Sequence, residues 1–234
     1  MAPAQLRAVR FQLAQTKRCS AQEYMMLTQD TTTQDGTDTQ ILHPGSRRLF
    51  SHWETLRAER AYPTREEFTF DAVKDLMPDM IVLDRDYLRN SYKFRLAGTR
   101  VCRLFGETLT GKDVLFGWDH FESDVIAKHL GLALSEYQPA LIRMRLKTDT
   151  GQVVAGELIA LPVQTRGSNR IQLMGGIFAF RDVNAIGHAA ILGRELISGR
   201  MIWTEHREAP KRMVPSTVAR PNFRKLAVIA GGKI

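Results

Sequence analysis

The stretch YKFRLAGTRVCRLFGETLTGK, residues 92–112, decides how this chain is read. Its opening, Tyr92-Lys93-Phe94-Arg95-Leu96, alternates apolar and polar residues. That period predicts a half-buried strand with Tyr92, Phe94 and Leu96 on one face. Gly98 breaks the strand, and Val101, Leu104 and Phe105 predict a short helix that stops at Gly106. Leu109-Thr110-Gly111-Lys112 then reads as a turn. A strand, a short helix and a glycine-marked turn in such quick succession point to an α+β domain.

Working outward, Met80-Ile81-Val82-Leu83 is an apolar run bounded by Asp79 and Asp84. With Arg85 to Ser91 as its turn, it pairs with the first strand as a hairpin. Further upstream, Leu49, Trp53 and Leu56, with Phe50 beside them, make one apolar helical stripe. Ser46 is the expected N-cap of that helix and Pro63 bounds its far end. A second short helix is predicted over residues 70–76, before Pro78. Downstream, the loop Phe116-Gly117-Trp118 leads into a helix over residues 119–136, with Phe121, Val125, Leu132 and Ala133 expected on its inward side. Pro139 ends it. Three strands follow, at 140–147, 153–163 and 172–181, the first two joined by Thr148-Asp149-Thr150-Gly151. Gly175-Gly176, inside the last strand, predicts a bulge or a close backbone approach. The expected fold is a five-stranded antiparallel sheet with helices on one face, preceded by an N-terminal amphipathic helix.

The chain of 234 residues is 44% hydrophobic, enough for one well-cored domain with tails, and holds no apolar run long enough to span a membrane. Its two cysteines, Cys19 and Cys102, support neither a disulfide framework nor a four-thiolate metal site, and a cytoplasmic protein is expected. The net charge of +8 belongs to the ends. Arg7, Arg10, Lys17 and Arg18 stand against Glu23 near the start. Arg200, Arg207, Lys211, Arg212, Arg220, Arg224, Lys225 and Lys233 stand against Glu205 and Glu208 at the end, so residues 25–199 are nearly neutral. A nucleic-acid face usually concentrates charge on the folded elements, so nucleic acid is not the expected partner. Residues 1–42, with the polar run Gln29 to Gln40, read as a flexible leader, and Met25 and Met26 as alternative starts. The domain is expected over residues 43–182. Residues 183–234 read as a basic, partly disordered extension, with a short helix at 188–197 and an apolar run, Leu226 to Ala230, able to dock as an added strand.

These features together resemble the PAS fold, and in wording a compact proteobacterial PAS family of mostly single-domain proteins. The resemblance covers roughly residues 46–182. It rests on Trp53-Glu54-Thr55-Leu56-Arg57 with Arg60, Pro63 and Arg65; on Tyr92 to Thr99, with Arg95 and Gly98; on Leu104-Phe105-Gly106-Glu107 to Leu109-Thr110-Gly111-Lys112; and on Gly156-Glu157 with Leu161-Pro162. It implies signal sensing or protein–protein adaptation.

The family's cofactors can be tested on residue positions. The thiol of flavin-binding PAS domains follows a glycine turn, but the corresponding string here is Gly111-Lys112-Asp113-Val114, and Cys102 lies a helix earlier. Haem-binding members use an axial histidine on the long helix. His120 and His129 lie on that helix, but nine residues apart they sit about 180° out of phase. No cofactor is expected, with haem through one of these as the alternative. No metal site or catalytic motif is expected either: no nucleophile elbow, zincin helix or phosphate loop occurs. The lone strand acid Glu157 is expected to pair with Arg95 or Arg143 rather than serve as a base.

A pocket in this fold would lie between sheet and helices, lined by Phe94, Leu104, Phe105, Leu115, Phe116, Trp118, Met144 and Phe178. The Leu49, Trp53 and Leu56 stripe is expected to form a homodimer contact together with the sheet face. The leading expectation is a non-enzymatic adaptor acting through a protein partner, with the sensing of a small ligand as an added role. The alternatives are a small-molecule enzyme using Glu157 or His129, and a DNA-associated regulator using the basic tail. A buried, isolated Glu157 facing a hydrated cavity would favour the enzyme. An Arg-paired Glu157 favours the adaptor.

Overall fold

The computed structural model describes residues 40–89, 91–167, 170–183 and 191–204. Helix α1 spans Pro44–Arg57. His43, not Ser46, caps it: Nδ1 accepts the Gly45 N–H at 3.0 Å, and Pro44 takes the first helical position, where its missing N–H costs nothing. A 3₁₀ turn at Arg65–Glu67, helix α2 at Phe70–Val73 and a second 3₁₀ turn at Met77–Asp79 lead into strand β1, Met80–Asp86. Then come β2 (Ser91–Ala97), α3 (Thr99–Phe105), α4 (His120–Ser135), β3 (Ala140–Thr148), β4 (Val153–Gln164), β5 (Ile171–Ala179) and β6 (Ile191–Met201). The six strands form one antiparallel sheet in the order β2-β1-β5-β4-β3-β6.

The α+β antiparallel expectation holds, with one strand more than expected. Residues 191–201, placed mostly in a helix and in a partly disordered extension, pair with β3 as a sixth strand. Gly193 and Gly199 lie in that segment and weaken a helix there.

Helices cover both faces of the sheet, not one. On the first face, α3 and α4 pack over Ile81, Leu83, Tyr92, Phe94, Ile142, Met144, Leu158 and Ile177. On the second, Leu49, Phe50 and Trp53 of α1 pack over Val82, Leu141, Ile159, Leu161, Val163, Met174 and Phe178. The stripe expected at a dimer contact is therefore used inside the chain. Leu49 and Trp53 are fully buried, the Trp53 indole N–H donates to the Pro162 carbonyl at 2.8 Å, and Leu56 packs partly against the same cluster.

Two other expectations change. Between Val82 and Leu83 of β1 the pairing with β2 slips by one residue, leaving Arg95 as the bulged residue. Such a slip turns every later side chain over, so Tyr92 and Phe94 face the core while Leu96 is 41% exposed. In α4 the buried stripe is Ile126, Leu130, Ala133 and Leu134, and Phe121 faces outward. At Gly175 the β4 backbone comes so near that a Cβ would collide with the Ile159 carbonyl, the close approach expected there. No helix among the described residues is long and apolar enough to cross a membrane. Cys19, Met25, Met26, the run Leu226 to Ala230 and most of the basic tail residues lie outside the described residues.

Candidate functional site

The residues quoted for the resemblance mostly build architecture. Arg57 is buried with its guanidinium 5.0 Å over the Trp53 ring, and the buried Pro63 accepts the Gln164 N–H at 3.0 Å. Arg65 opens the first 3₁₀ turn, and Arg95 pairs with Asp84 at 3.5 Å. A Cβ at Gly98 would collide with the Pro78 carbonyl, and Gly106 closes α3 in the left-handed region at φ 70°. Gly111 donates to the Phe94 carbonyl at 2.7 Å, and Phe94 donates to Lys112 at 2.9 Å. With Val114 donating to Tyr92, these bonds fasten the loop after α3 along the outer edge of β2.

That loop, α3 and the sheet enclose a cavity of about 20 Å³. Five of the eight expected pocket residues line it: Phe94, Phe105, Phe116, Trp118 and Met144. Leu104 and Leu115 lie behind, in the same hydrophobic cluster. Phe178 does not belong to it, because the residues of a strand alternate faces, and Phe178 falls on the α1 side. Leu109, Val114, Leu158, Ile177 and the rim groups Glu107, Lys112, Asp113 and Arg194 complete the lining. The volume accommodates about one water, whereas ligand sites run to about 300–1,000 Å³.

Arg194 is the lining residue from the segment 191–201, missed because its strand was read mostly as helix. Register with Leu146 of β3 puts it on the α4 face. Its guanidinium lies 5.0 Å over the Phe105 ring and donates to the Phe116 carbonyl. Burial pushes it below the ordinary arginine value, opposed by the Glu107 carboxylate. Nearby, Glu122 of α4 accepts the Leu196 N–H of β6 at 2.8 Å.

Glu157 lies on the opposite face, fully buried. It accepts the Leu42 and His43 N–H groups at 3.1 and 3.0 Å and the Arg143 Nε–H at 3.2 Å. Arg143 in turn donates to the Gln40 carbonyl. This ion pair clamps the backbone that leads into α1, so Gln40 to Leu42, expected in a flexible leader, is held to the sheet. The His43 ring stacks on Phe178 with centroids 5.0 Å apart. Burial holds its imidazole below the ordinary value, opposed by the Glu157 carboxylate and the Ala179 carbonyl.

The remaining candidates lie elsewhere. The His120 side chain is 90% exposed beside Asp124. His129 hydrogen-bonds the Val125 carbonyl at 2.7 Å, and its ring packs against Gly199 of β6. Neither lines the cavity. Cys102 is half-buried with its thiol toward the Ala97 carbonyl, also outside the lining. Among the described residues, no group of three His, Cys, Asp or Glu side chains is placed to hold a metal ion.

Compared with known proteins, residues 41–178 match the family model described as PAS domain, more than half of the chain. The match begins at the clamped segment and ends in β5, leaving β6 outside it. No curated protein matches the chain.

Proposed function

The chain belongs to the PAS-domain family, and from that premise we propose that it is a non-enzymatic signalling adaptor, cytoplasmic, that acts by contact with a protein partner. PAS domains are sensory and signalling modules. The observation that carries the adaptor reading is the state of Glu157. A general base needs a free lone pair aimed at a substrate within hydrogen-bond reach. Glu157 instead receives three donors and sits on the face opposite the cavity. The cavity is also too small for a ligand of ordinary size.

The fold leaves large apolar side chains in solvent: Phe121 and Leu192 at 75% exposure and Phe116 at 69%. They belong to the loop before α4, the first turn of α4 and the start of β6, which the Arg194–Phe116 and Leu196–Glu122 hydrogen bonds hold together. Exposed large apolar groups on adjoining elements are candidates for an interaction surface. We place the partner contact, including any homodimer, there and not on the buried α1 stripe.

The test is affinity capture from the native cells with the full chain and with a Phe121→Ser, Leu192→Ser double variant. A stoichiometric protein partner held by the wild type and lost from the folded variant supports the reading. Capture of nucleic acid in its place, with a salt-sensitive gel shift, overturns it.

A further inference from the structure

A second hollow lies at the end of β5, beside the cap of α1. It measures about 320 Å³ and is lined by His43, Asp79, Arg100 and residues 178–183. It shares no residue with the small cavity under α3 and α4. Its volume reaches the range of small-molecule sites, about 300–1,000 Å³.

One ion pair dominates its chemistry. Asp79, in the second 3₁₀ turn, has a side chain only 7% exposed, and Arg100 of α3 meets it through a single contact, Nη1 to Oδ2. Within the described residues, Asp79 Oδ1 and the other nitrogens of Arg100 form no hydrogen bond. A carboxylate so deeply placed is costly unless its lone pairs are used. Burial raises the Asp79 carboxyl above its ordinary value, against the pull of Arg100. A carboxylate and a guanidinium side by side, each only partly used, match a group that brings both a donor and an acceptor.

The rest of the lining limits what that group is. Arg181 and Asp182 add one charge of each sign, so two arginines stand against two aspartates and the lining is formally neutral. A phosphate or a polycation meets no excess of opposite charge there. The His43 ring lies against Phe178 and Phe180, with centroids 5.0 and 5.2 Å away. It already accepts from Gly45 at Nδ1 and bonds the Ala179 carbonyl, so this wall offers ring surface and no further donor.

We propose that this hollow binds a compact zwitterion of the class of free α-amino acids, its carboxylate on Arg100, its ammonium on Asp79 Oδ1 and an apolar side chain against His43 and Phe180. Such a molecule satisfies both halves of the ion pair and adds no net charge. The site shares no residue with the surface at Phe116, Phe121 and Leu192, so it does not rest on the protein contact.

L-Phenylalanine titrated into the full chain tests this, with calorimetry for affinity and NMR of the His43 and Phe180 rings for location. Phenylpropionate, which lacks the ammonium, and phenethylamine, which lacks the carboxylate, serve as comparisons. Saturable shifts at both rings are expected with L-phenylalanine at millimolar concentration, with each analogue about tenfold weaker. Arg100→Gln is expected to lower L-phenylalanine to the level of phenethylamine, and Asp79→Asn to that of phenylpropionate. If either variant does not fold by circular dichroism, the three ligands on the wild type decide. Equal affinity for all three, shifts confined to Met144 and Ile177, or no saturable shift with L-phenylalanine overturns the site. Partner capture reads Phe121 and Leu192 instead, so its failure and this one are told apart.

Discussion

On the α4 face, Ile126, Leu130 and Ala133 meet Ile142, Met144 and Leu158, and charge enters only at the rim. On the α1 face, Trp53 and Leu49 are also fully buried, but a fully buried carboxylate on the same face holds the incoming backbone. Apolar packing is non-directional, so the first face tolerates a small void. A buried charge requires every partner in place. The second face therefore fixes where the chain enters and which residue caps α1. The difference separates a face that can adjust from a face that sets register.

Substitutions that treat the faces unequally test this contrast. The largest effect is expected from Trp53→Ala, which removes the centre of the α1 face and its bond to Pro162, at a cost of about 4–5 kcal/mol. Leu130→Ala on the other face removes a smaller buried side chain and no hydrogen bond, and is expected to cost about 2–3 kcal/mol. Urea unfolding midpoints compare the two, and equal losses would mean that the faces do not differ.

Next, Glu157→Ala is expected to cost about 3 kcal/mol by leaving Arg143 and two backbone donors unpaired. Replacing both partners, as Arg143→Met with Glu157→Leu, should cost clearly less than the two single changes added together, which a double-mutant cycle measures. Strict additivity would remove the clamp from the account.

A smaller effect concerns pH. Burial holds His43 below the ordinary imidazole value of 6.5, so on acidification the unfolded chain takes up this proton before the native chain does. Stability is full above that value and declines as pH falls from it toward the lowered native value. His52, also lowered by burial, acts in the same sense. His43→Asn keeps a side-chain acceptor at the cap and should flatten the dependence of the unfolding midpoint between about pH 7.5 and 5.5. An unchanged slope would assign it to other groups.

The smallest effect is expected at Arg95. The Arg95 side chain of its pair with Asp84 is more than half exposed, so Arg95→Ala should change stability by about 0–1 kcal/mol by thermal unfolding. A larger loss would mean that the bulge at this residue needs the guanidinium.

Much of the fold was legible because its signals are local. Alternation in Tyr92 to Phe94, the glycine stop at Gly106 and the Asp and Gly of the 148–151 turn each act within a few residues, and each element formed where expected. The choice of Arg143 or Arg95 for Glu157 was also half legible, since a buried acid must find a cation. Three features were not. The bulge at Arg95 depends on how β2 meets β1. The buried face of α4 depends on which stripe the sheet meets, and its apolar residues offered more than one. Arg194 was hidden because Ile191 to Met201 carries too weak a period to separate strand from helix.

The sequence by itself determined the class of the domain, the antiparallel pairing of its strands and the partner type of Glu157. These follow from backbone preferences and from the cost of burying charge, which neighbouring residues set. Only the tertiary structure decided that α1 covers its own sheet, that Phe178 and Glu157 lie on the face away from the cavity, and that a sixth strand brings Arg194 to the cavity mouth. Those outcomes rest on contacts between segments far apart in the chain, where a slip of one residue reverses a side chain and no local pattern records which way it goes.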